Sequence, residues 1–342
     1  MQMDIKSLSL DELKTEIAKL GEKPYRAKQL YEWMHVKLAR SYDEMTNLPK
    51  GLRKELSENF EYTSLKEATV QTSKLDGTKK YLFELVDGNF VESVWMQYHH
   101  GNSVCISSQV GCRMGCRFCA STLDGLARNL MPSEMLDQIY AISRNTGGRA
   151  SNIVVMGTGE PLDNYDNLLR FIHMITDENG LNISQRNITV STCGIVENMR
   201  RLADEKLQIT LALSLHGATQ EKRRELMPVA NRYDIGEVID ACRYYFDQTG
   251  RRVTFEYSLV GGVNDTDEDA GNLCRLIGGL NCHVNLIPVN PVRERGYVAS
   301  ERRDVLNFQK KLEKNHINVT IRREMGRDID GACGQLRRRY RD

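Results

Sequence analysis

The chain has 342 residues, 40% of them hydrophobic and 27% charged, with a formal net charge of +1. This length suffices for one large domain with an appendage, and the composition is that of an ordinary globular protein. The nearly neutral charge gives no global sign of a nucleic-acid-binding protein. No run approaches the roughly 18 apolar residues of a membrane span, and the opening MQMDIKSLSLDELK lacks the apolar stretch of a signal peptide. We therefore expect a cytoplasmic protein that does not associate with a membrane.

The first 70 or so residues indicate a small unit of amphipathic helices, because apolar residues recur at spacings of three and four. The three groups are Leu8, Leu10, Leu13, Ile17 and Leu20, then Ala27, Leu30, Tyr31 and Met34, then Leu48, Leu52 and Leu56. We predict an N-terminal helical accessory domain over residues 1–75.

The segment KKYLFELVDGNFVESVWMQY consists of two strand-like runs around the dipeptide DG, which predicts a β-hairpin extension over residues 76–100. In the second run Glu92 shares a face with apolar residues. A carboxylate there tends towards a raised pKa unless it is paired, which suits a general base. The alternative is an edge strand whose Glu92 reaches water or an arginine.

From about residue 103 onwards, strand-like runs alternate with helical ones. The strands that we predict are SVCIS, NIVVMG, NITVST, ITLALSL, VTFEYSL and HVNLIPV. The helices that we predict lie near 133–145, 166–176, 195–204, 219–226, 235–248, 267–278 and 301–315. This alternation implies an α/β core over residues 101–325, with parallel strands and right-handed crossovers.

The run CRMGCRFC places Cys112, Cys116 and Cys119 in one short loop. A structural zinc site closes a tetrahedron with four protein ligands, and no second pair of ligands follows at zinc-finger spacing. Three cysteines on a 4Fe-4S cluster leave one iron free to chelate a small molecule. We predict such a cluster, with zinc as the weaker alternative. The nine cysteines of the chain fit a reducing compartment better than a disulfide framework.

Unusual polar segments follow the predicted strands: GTGEP, STCG, SLH and NPV, besides the cysteine loop. In a (β/α) barrel the loops after the strands share one mouth, so their convergence favours a barrel over an open doubly wound sheet. Glu160 can accept hydrogen bonds from an amine. Ser191, Ser214, His216 and Asn290 are candidates for contacts with hydroxyl and carboxylate groups. For each of them alone, a satisfied polar residue at a strand end is the alternative.

Two further cysteines differ in their surroundings. Cys333 lies in GRDIDGACGQL between small residues, which leaves its thiol accessible and suggests a reactive role. Cys105 lies within a strand-like run, for which core packing is the favoured interpretation.

Basic residues cluster in three places, which could hold phosphates. They are Arg113, Arg117 and Arg128, then Lys222, Arg223 and Arg224, then the tail QLRRRYRD. The alternative for each run is a solvated face or a loose terminus.

Together, CISSQVGCRMGCRFC, GTGEP, STCG, SLH, NLIPVNP and DIDGACGQL resemble the RlmN family of dual-specificity RNA methyltransferases. These are radical S-adenosylmethionine (SAM) enzymes that act on C2 of adenine, and the likeness covers nearly the whole chain. The resemblance implies a partial (β/α)6 barrel and assigns Cys112, Cys116 and Cys119 to a 4Fe-4S cluster. The residues that it assigns to SAM are Gly159, Glu160, Ser191, Ser214, Leu215, His216 and Asn290.

The resemblance also implies a route through Cys333, in a C-terminal segment over residues 326–342. One SAM methylates the thiolate of Cys333, and a second SAM yields a 5′-deoxyadenosyl radical that takes a hydrogen from the S-methyl group. The methylene radical then adds to adenine. The proton acceptor of the family aligns with Glu92, and Cys105 aligns with the thiol that forms a transient disulfide with Cys333 and releases the base.

The implied substrates are an adenosine in large-subunit ribosomal RNA and one in the anticodon arm of certain transfer RNAs. An electron donor such as a flavodoxin or a ferredoxin would reduce the cluster. The nearest alternative is the adenine C8 methyltransferase that confers antibiotic resistance, although Pro161 fits the C2 branch better. Further alternatives are an iron-sulfur RNA-binding module without methyl transfer, against which Cys333 and Cys105 argue, and a zinc-stabilised interaction protein.

Overall fold

The fold consists of an N-terminal helical unit and a large mixed sheet with helices packed on one face. A computed structural model describes residues 2–99, 101–289, 296–330 and 334–341. The strands are β1 (Met3–Asp4), β2 (Phe60–Glu61), β3 (Lys66–Thr72), β4 (Lys79–Glu84), β5 (Phe90–Tyr98), β6 (Gly101–Ile106), β7 (Gln109–Gly111), β8 (Leu126–Asn129), β9 (Asn152–Val155), β10 (Ile188–Thr192), β11 (Thr210–Ser214), β12 (Val253–Leu259), β13 (Cys282–Pro288) and β14 (Asn318–Ile321). The α-helices are α1 (Leu10–Lys19), α2 (Pro24–His35), α3 (Lys50–Asn59), α4 (Pro132–Thr146), α5 (Tyr165–Thr176), α6 (Val196–Asp204), α7 (Gln220–Leu226), α8 (Ile235–Thr249), α9 (Asp267–Ile277), α10 (Arg302–Lys314) and α11 (Gln335–Arg341).

The N-terminal unit has the three predicted helices, and a short parallel pair of strands, β1 and β2, joins its two ends. Ser9 and Glu12 form a capping box that fixes the start of α1, and Pro24 occupies the first turn of α2. The apolar faces of these helices make a core of their own, separate from that of the sheet. The unit therefore buries its own hydrophobic stripe and then packs against the sheet domain.

The extension after this unit is a three-stranded antiparallel meander, whereas the sequence predicts a two-stranded hairpin. Strands β4 and β5 are the predicted pair, and β3 is hydrogen-bonded to β4. The sequence did not indicate β3 because five of its seven residues are charged or polar and none of them is buried. The pairing of β5 with β6 is also antiparallel, so the meander continues directly into the main sheet.

The main sheet has ten strands in the order β14-β13-β12-β11-β10-β9-β6-β5-β4-β3. The strands from β6 to β14 in this order are parallel. All six predicted core strands and all seven predicted helices are present, and β14 adds a seventh parallel strand. In the part of the chain that the structure describes, β3 and β14 are edges and the barrel does not close, which confirms the predicted partial barrel.

Alternation along the parallel strands separates two faces. Outward residues such as Val104, Ile153, Val190 and Leu211 belong to the hydrophobic core under the helices. The opposite face carries small and polar side chains, such as those of Ser214, Glu256 and Asn285, which lie side by side in the ladder. A packed (β/α) barrel fills its interior with bulky branched residues, so this polar interior leaves room for a ligand.

Within the described ranges, no α-helix has the length and apolar content that a membrane span requires.

Candidate active site

A cavity of about 260 Å³ lies at the carboxyl ends of the parallel strands. The predicted site residues that line it are Cys112, Cys116, Cys119, Gly159, Glu160, Ser191, Ser214 and His216. The structure thus brings together the cysteine loop and three of the four strand-end segments. Contributions from several loops at one mouth are the usual arrangement of active sites in (β/α) barrels.

The cysteine loop is fixed at both of its ends. Strand β7 precedes the loop, strand β8 follows it, and the two strands pair as a small hairpin. Cys112 N also donates to Gly125 O over 2.8 Å. At the far end, Thr122 Oγ1 lies 3.1 Å from Cys116 O and 3.0 Å from Cys119 O. These bonds hold the loop around the three thiols without using any sulfur atom.

The donor set at this loop fits a 4Fe-4S cluster. Burial raises the pKa of the Cys112 thiol to about 12 and also raises the pKa of the Cys116 thiol, so a thiolate here requires the positive charge of bound metal. Among the described residues, no three His, Cys, Asp or Glu side chains are placed to ligate one metal ion. In a cluster each thiolate ligates a different iron, so its cysteines need not meet at one point.

Gly159 and Glu160 form the turn after β9. Gly159 has φ +111°, and a Cβ atom there would lie 2.6 Å from Gln109 Cβ, so the chain passes too close for any side chain. The carboxylate of Glu160 accepts hydrogen bonds from Cys193 N over 2.7 Å and Leu162 N over 3.0 Å. Burial raises the pKa of Glu160. The side chains of Thr192 and Cys193 also hydrogen-bond to this carboxylate, and Glu160 lines the cavity.

His216 has a defined tautomer. Its Nδ1 accepts a hydrogen bond from Ser258 N over 2.9 Å, and burial lowers the pKa of the imidazole to about 3. The neutral ring therefore carries its proton on Nε2. The Phe118 ring packs against it edge-on at 4.8 Å between centroids, so the cysteine loop contacts the end of β11.

The two predicted serines are close together, since Ser191 Oγ and Ser214 Oγ are 3.3 Å apart. Leu215 differs from them, because its side chain is fully buried in the hydrophobic core between the sheet and the helices. Its N donates to Glu256 O over 3.0 Å. It does not line the cavity. Asn290 and Cys333 lie outside the described residues, so their predicted roles stay predictions.

Arg223 has an internal role, and neither interpretation of its basic run, phosphate binding or a solvated face, applies to it. Its guanidinium is fully buried and donates to the carbonyl oxygens of Ser214 (2.9 Å), Leu215 (2.6 Å) and Cys193 (2.5 Å). A planar fork of donors suits this task, because it reaches three carbonyl oxygens of two neighbouring loops at once. Arg223 thereby fixes the loops after β10 and β11 that line the cavity.

The other predicted basic positions also make contacts within the protein. Lys222 pairs with Asp269 at 2.6 Å, and Arg113 pairs with Asp163. Arg128 forms two hydrogen bonds of 2.8 Å to the carboxylate of Glu134. Arg117 is exposed at the cysteine loop.

Glu92 is buried and paired. Its carboxylate lies 2.9 Å from Lys80 Nζ and accepts hydrogen bonds from Gly334 N and Arg337 N, each over 2.6 Å. The sequence left open whether this carboxylate is paired, and the partner is a lysine of the neighbouring strand. Cys105 is 6% exposed and lies on β6 opposite Val94, on the same face of the sheet as Glu92.

Two charged residues of the cavity wall were not predicted. Glu256 and Arg322 line the side of the cavity formed by β12 to β14. Asn285 Nδ2 donates to Glu256 over 2.9 Å, and burial raises the pKa of Glu256. The signal that could have found Glu256 is its place in VTFEYSL, where it is the charged residue on the inward face.

Comparison with known protein families gives two matches. A model of the radical SAM superfamily matches residues 106–277. A model of the ribosomal RNA large subunit methyltransferase N-terminal domain matches residues 3–61. The second range coincides with the N-terminal helical unit, and the first covers most of the parallel sheet.

Individual relatives are similar over their whole length. A probable dual-specificity RNA methyltransferase RlmN from Lachnospira eligens is 66% identical over 98% of this chain and 96% of its own. A protein of the same name from Lachnoclostridium phytofermentans is 63% identical over 100% of this chain and 96% of its own. The crystal structure of a radical SAM methyltransferase from Sphaerobacter thermophilus superposes with a TM-score of 0.94 at 44% identity, covering 97% of this chain and 98% of that one.

Proposed function

The chain belongs to the RlmN-type radical SAM RNA methyltransferases, and from that premise we propose that it methylates C2 of adenosine. Enzymes of this superfamily use a 4Fe-4S cluster and SAM. The proposed substrates are an adenosine in large-subunit ribosomal RNA and one in transfer RNA. The names of its relatives, which describe dual-specificity RNA methyltransferases, support two substrates.

One observation carries the proposal. The three cysteines of the CRMGCRFC loop share a cavity with Gly159, Glu160 and the polar ends of β10 and β11, and the C-terminal segment contacts the same loop. A Cβ atom on Gly334 would lie 2.8 Å from Ser121 N. Gly334 directly follows Cys333 in the sequence. A methyl-carrying thiol has to reach this cavity, and the contact supports that role for Cys333.

We propose that Cys112, Cys116 and Cys119 ligate the cluster. A cluster held by these cysteines would supply the electron for reductive cleavage of SAM to methionine and a 5′-deoxyadenosyl radical. Glu160 would accept hydrogen bonds from the amino group of SAM. Ser191, Ser214, His216 and Asn290 would bind its hydroxyl and carboxylate groups, and Leu215 would contribute through its backbone.

Cys333 would act as the methyl carrier. Its thiolate attacks the methyl group of one SAM, which forms an S–CH3 bond and releases S-adenosylhomocysteine. Loss of a hydrogen atom from this methyl group, and addition of the resulting carbon radical to C2, links protein and RNA. The route avoids direct transfer from a sulfonium to an aromatic carbon, which is a poor nucleophile.

Cys105 and Glu92 would complete the reaction. One of them would accept the C2 proton, and the unpaired electron of the adduct would return to the oxidised cluster. The Cys105 thiolate would then attack the sulfur of Cys333. The carbon–sulfur bond would break as its carbon takes up a proton, which leaves a Cys105–Cys333 disulfide and the methylated base. The position of Cys105 and Glu92 on one face of the sheet, roughly 7–8 Å apart as diagonal neighbours, supports a shared site.

The test is product analysis under anaerobic conditions. Reconstituted protein is incubated with SAM, a reductant and either ribosomal RNA or transfer RNA that lacks the modification, and the nucleosides are identified by mass spectrometry. We expect 2-methyladenosine from both RNAs. The 8-methyl isomer, or no methylated adenosine from protein with a full cluster, would contradict the proposal.

Two cysteine variants test the route itself. We expect Cys333→Ala to retain iron and form no product, and Cys105→Ala to accumulate RNA crosslinked to protein. Cys274→Ala is the matched control, because this cysteine lies on α9 away from the cavity. Full turnover by either of the first two variants would exclude the proposed thiol relay.

A further inference from the structure

The three-stranded extension holds the chain on both sides of Cys333. We propose that β3, β4 and β5 form a positioning device for the C-terminal segment, with the buried Lys80–Glu92 pair as its central element. This inference rests on the proposed role of Cys333 as methyl carrier. It assigns Lys80 and Glu92 as positioning residues that act through the backbone on either side of this cysteine.

On the N-terminal side of Cys333, the segment is bound to β3 and the turn that follows it. Gln71 and Asp330 exchange two hydrogen bonds, one from Gln71 Nε2 over 3.0 Å and one from Asp330 N over 2.9 Å. Ser73 Oγ donates to Asp328 over 2.6 Å, and Gly326 N donates to Asp76 over 2.9 Å. Residues 326–330 are thereby fixed along the edge of the extension.

On the C-terminal side, Glu92 of β5 accepts hydrogen bonds from two backbone N–H groups. These belong to Gly334 and Arg337, at the start of α11, and both distances are 2.6 Å. The first N–H groups of a helix have no partner within the helix, so a carboxylate at this end satisfies donors that burial would otherwise leave unpaired. Tyr340 packs on Phe90 of the same strand at 5.2 Å between ring centroids.

Lys80 pairs with this carboxylate and orients it. The two side chains are 1% and 3% exposed, and buried charges in proteins are normally paired and hydrogen-bonded. A buried ion pair adds little stability compared with apolar residues of similar size. Its presence here is explained by the two amide groups that it holds in place.

The anchored segment contacts the cysteine loop. Gly334 has φ +83°, and besides Ser121 N its Cβ atom would meet the carbonyl carbon of Ala120 at 3.0 Å. Ala120 directly follows Cys119 in the sequence. The extension therefore sets the distance between the backbone next to Cys333 and the backbone next to a predicted cluster ligand.

A loss of this anchoring would displace the thiol without affecting the cavity. Because reacting atoms must meet within a narrow range, misplacement by about 1 Å costs a reaction on the order of 100-fold. We expect Lys80→Met and Glu92→Gln each to reduce the rate of S-methylation of Cys333 at least tenfold. Iron content and SAM binding should remain at the level of the unaltered protein.

The experiment measures the methylated fraction of the Cys333 peptide by mass spectrometry after timed incubation of the reconstituted protein with SAM. Lys66→Met is the matched control, since Lys66 pairs with Glu84 on the same extension at 3.1 Å but is 77% exposed. Lys80→Arg should restore part of the rate, because a cation is again available to Glu92. Gln71→Ala removes the two hydrogen bonds to Asp330 on the N-terminal side of Cys333. Gln71 is half-buried and uncharged, so this substitution does not remove a buried charge.

The outcomes separate the two proposals. If the unaltered protein forms no S-methylcysteine at position 333, the proposed function fails. If it does, and Lys80→Met, Glu92→Gln and Gln71→Ala are methylated at the normal rate, the positioning device is excluded. Full S-methylation by Glu92→Gln together with loss of RNA product would assign Glu92 to proton removal and also contradict the inference. A rate loss in all three variants with an intact cluster supports it.

Discussion

Lys6 Nζ and Asp137 Oδ1 are 2.7 Å apart, and neither side chain is exposed to solvent. Lys6 belongs to the N-terminal unit and Asp137 to α4 of the sheet domain. Lys6 also donates to Thr63 O over 2.7 Å, and Asp137 accepts from Leu65 N over 2.6 Å. A buried pair with these additional bonds holds the two units in one relative orientation.

Breaking this pair should be costly. Lys6→Met leaves Asp137 with Arg144, at 3.4 Å, as its cationic partner. We expect the free energy of unfolding in urea to fall by about 3–5 kcal/mol. Lys14→Met is the control, since Lys14 and Asp11 form an exposed pair at 2.8 Å, and it should change the value by less than about 0.5 kcal/mol. Similar effects of the two substitutions would contradict the interpretation.

His35 makes the stability of the protein depend on pH. Burial lowers the pKa of this imidazole to about 3, whereas in the unfolded chain it is about 6.5. As the pH falls below 6.5, the unfolded chain takes up a proton that the folded protein does not, so stability is lost. Between pH 7.5 and pH 5 this contribution amounts to about 2 kcal/mol.

The measurement compares urea unfolding of the unaltered protein and of His35→Gln at both pH values. The unaltered protein should lose about 2 kcal/mol more than the variant over this interval. His173→Gln, at an exposed position of α5, should show the same pH dependence as the unaltered protein. If the free energy of unfolding of His35→Gln changed with pH as much as that of the unaltered protein, the imidazole of His35 would not be the group responsible.

Arg223 should be needed for both stability and SAM binding. Arg223→Lys keeps the charge but cannot reach three carbonyl oxygens with a planar fork, so buried acceptors lose their donors at about 1–3 kcal/mol each. We expect a lower midpoint of thermal unfolding and at least tenfold weaker SAM binding by anaerobic calorimetry. Arg224→Lys, at the exposed neighbouring position, should leave both values unchanged. Normal SAM affinity in Arg223→Lys would mean that the loops after β10 and β11 keep their conformation without the hydrogen bonds of the guanidinium.

Gly159 and Gly147 both have positive φ angles, but only Gly159 has atoms close to the position of a Cβ. Comparing them separates the effect of backbone strain from that of steric crowding. A Cβ atom on Gly159 would lie 2.6 Å from Gln109 Cβ and 2.8 Å from Gln109 N. Gly147, which ends α4 at φ +65°, has no neighbouring atom within 4 Å of the same position. We expect Gly147→Ala to cost about 1–2 kcal/mol of stability and to bind SAM normally. Gly159→Ala should cost more and reduce SAM affinity at least tenfold, and equal costs would contradict the role of crowding.

The main sheet was predictable because its strands are apolar runs with polar ends and its helices have a clear period of 3.6 residues. Strands β3 and β14 and helix α11 were not predicted. They are half-exposed and lack an apolar pattern of their own, so their formation depends on contacts with distant segments, as Gln71 and Asp330 illustrate. No local pattern encodes such contacts.

Residues that belong to a sequence motif could be predicted. Residues that only hold the motif residues in place could not be recognised in the same way. Three cysteines at fixed spacing predict a metal site, but Arg223 lies in a run of charged residues that gives no sign of its burial. Lys80 was within reach of sequence reasoning. The register of the β4–β5 pair places Leu82 opposite Glu92, so Lys80 is a diagonal neighbour of Glu92 on the same face.

Among the described residues the main sheet ends at β3 and β14 and does not close, which has a consequence for an enzyme that acts on RNA. A closed barrel admits a base only through its mouth, whereas an incomplete one also leaves an opening at its side. We expect a nucleotide in the middle of an RNA loop to enter by this opening while the strands on both sides of it remain outside. The same opening admits dioxygen, so we expect the accessibility that suits a large substrate to make the metal centre vulnerable to oxidation in air.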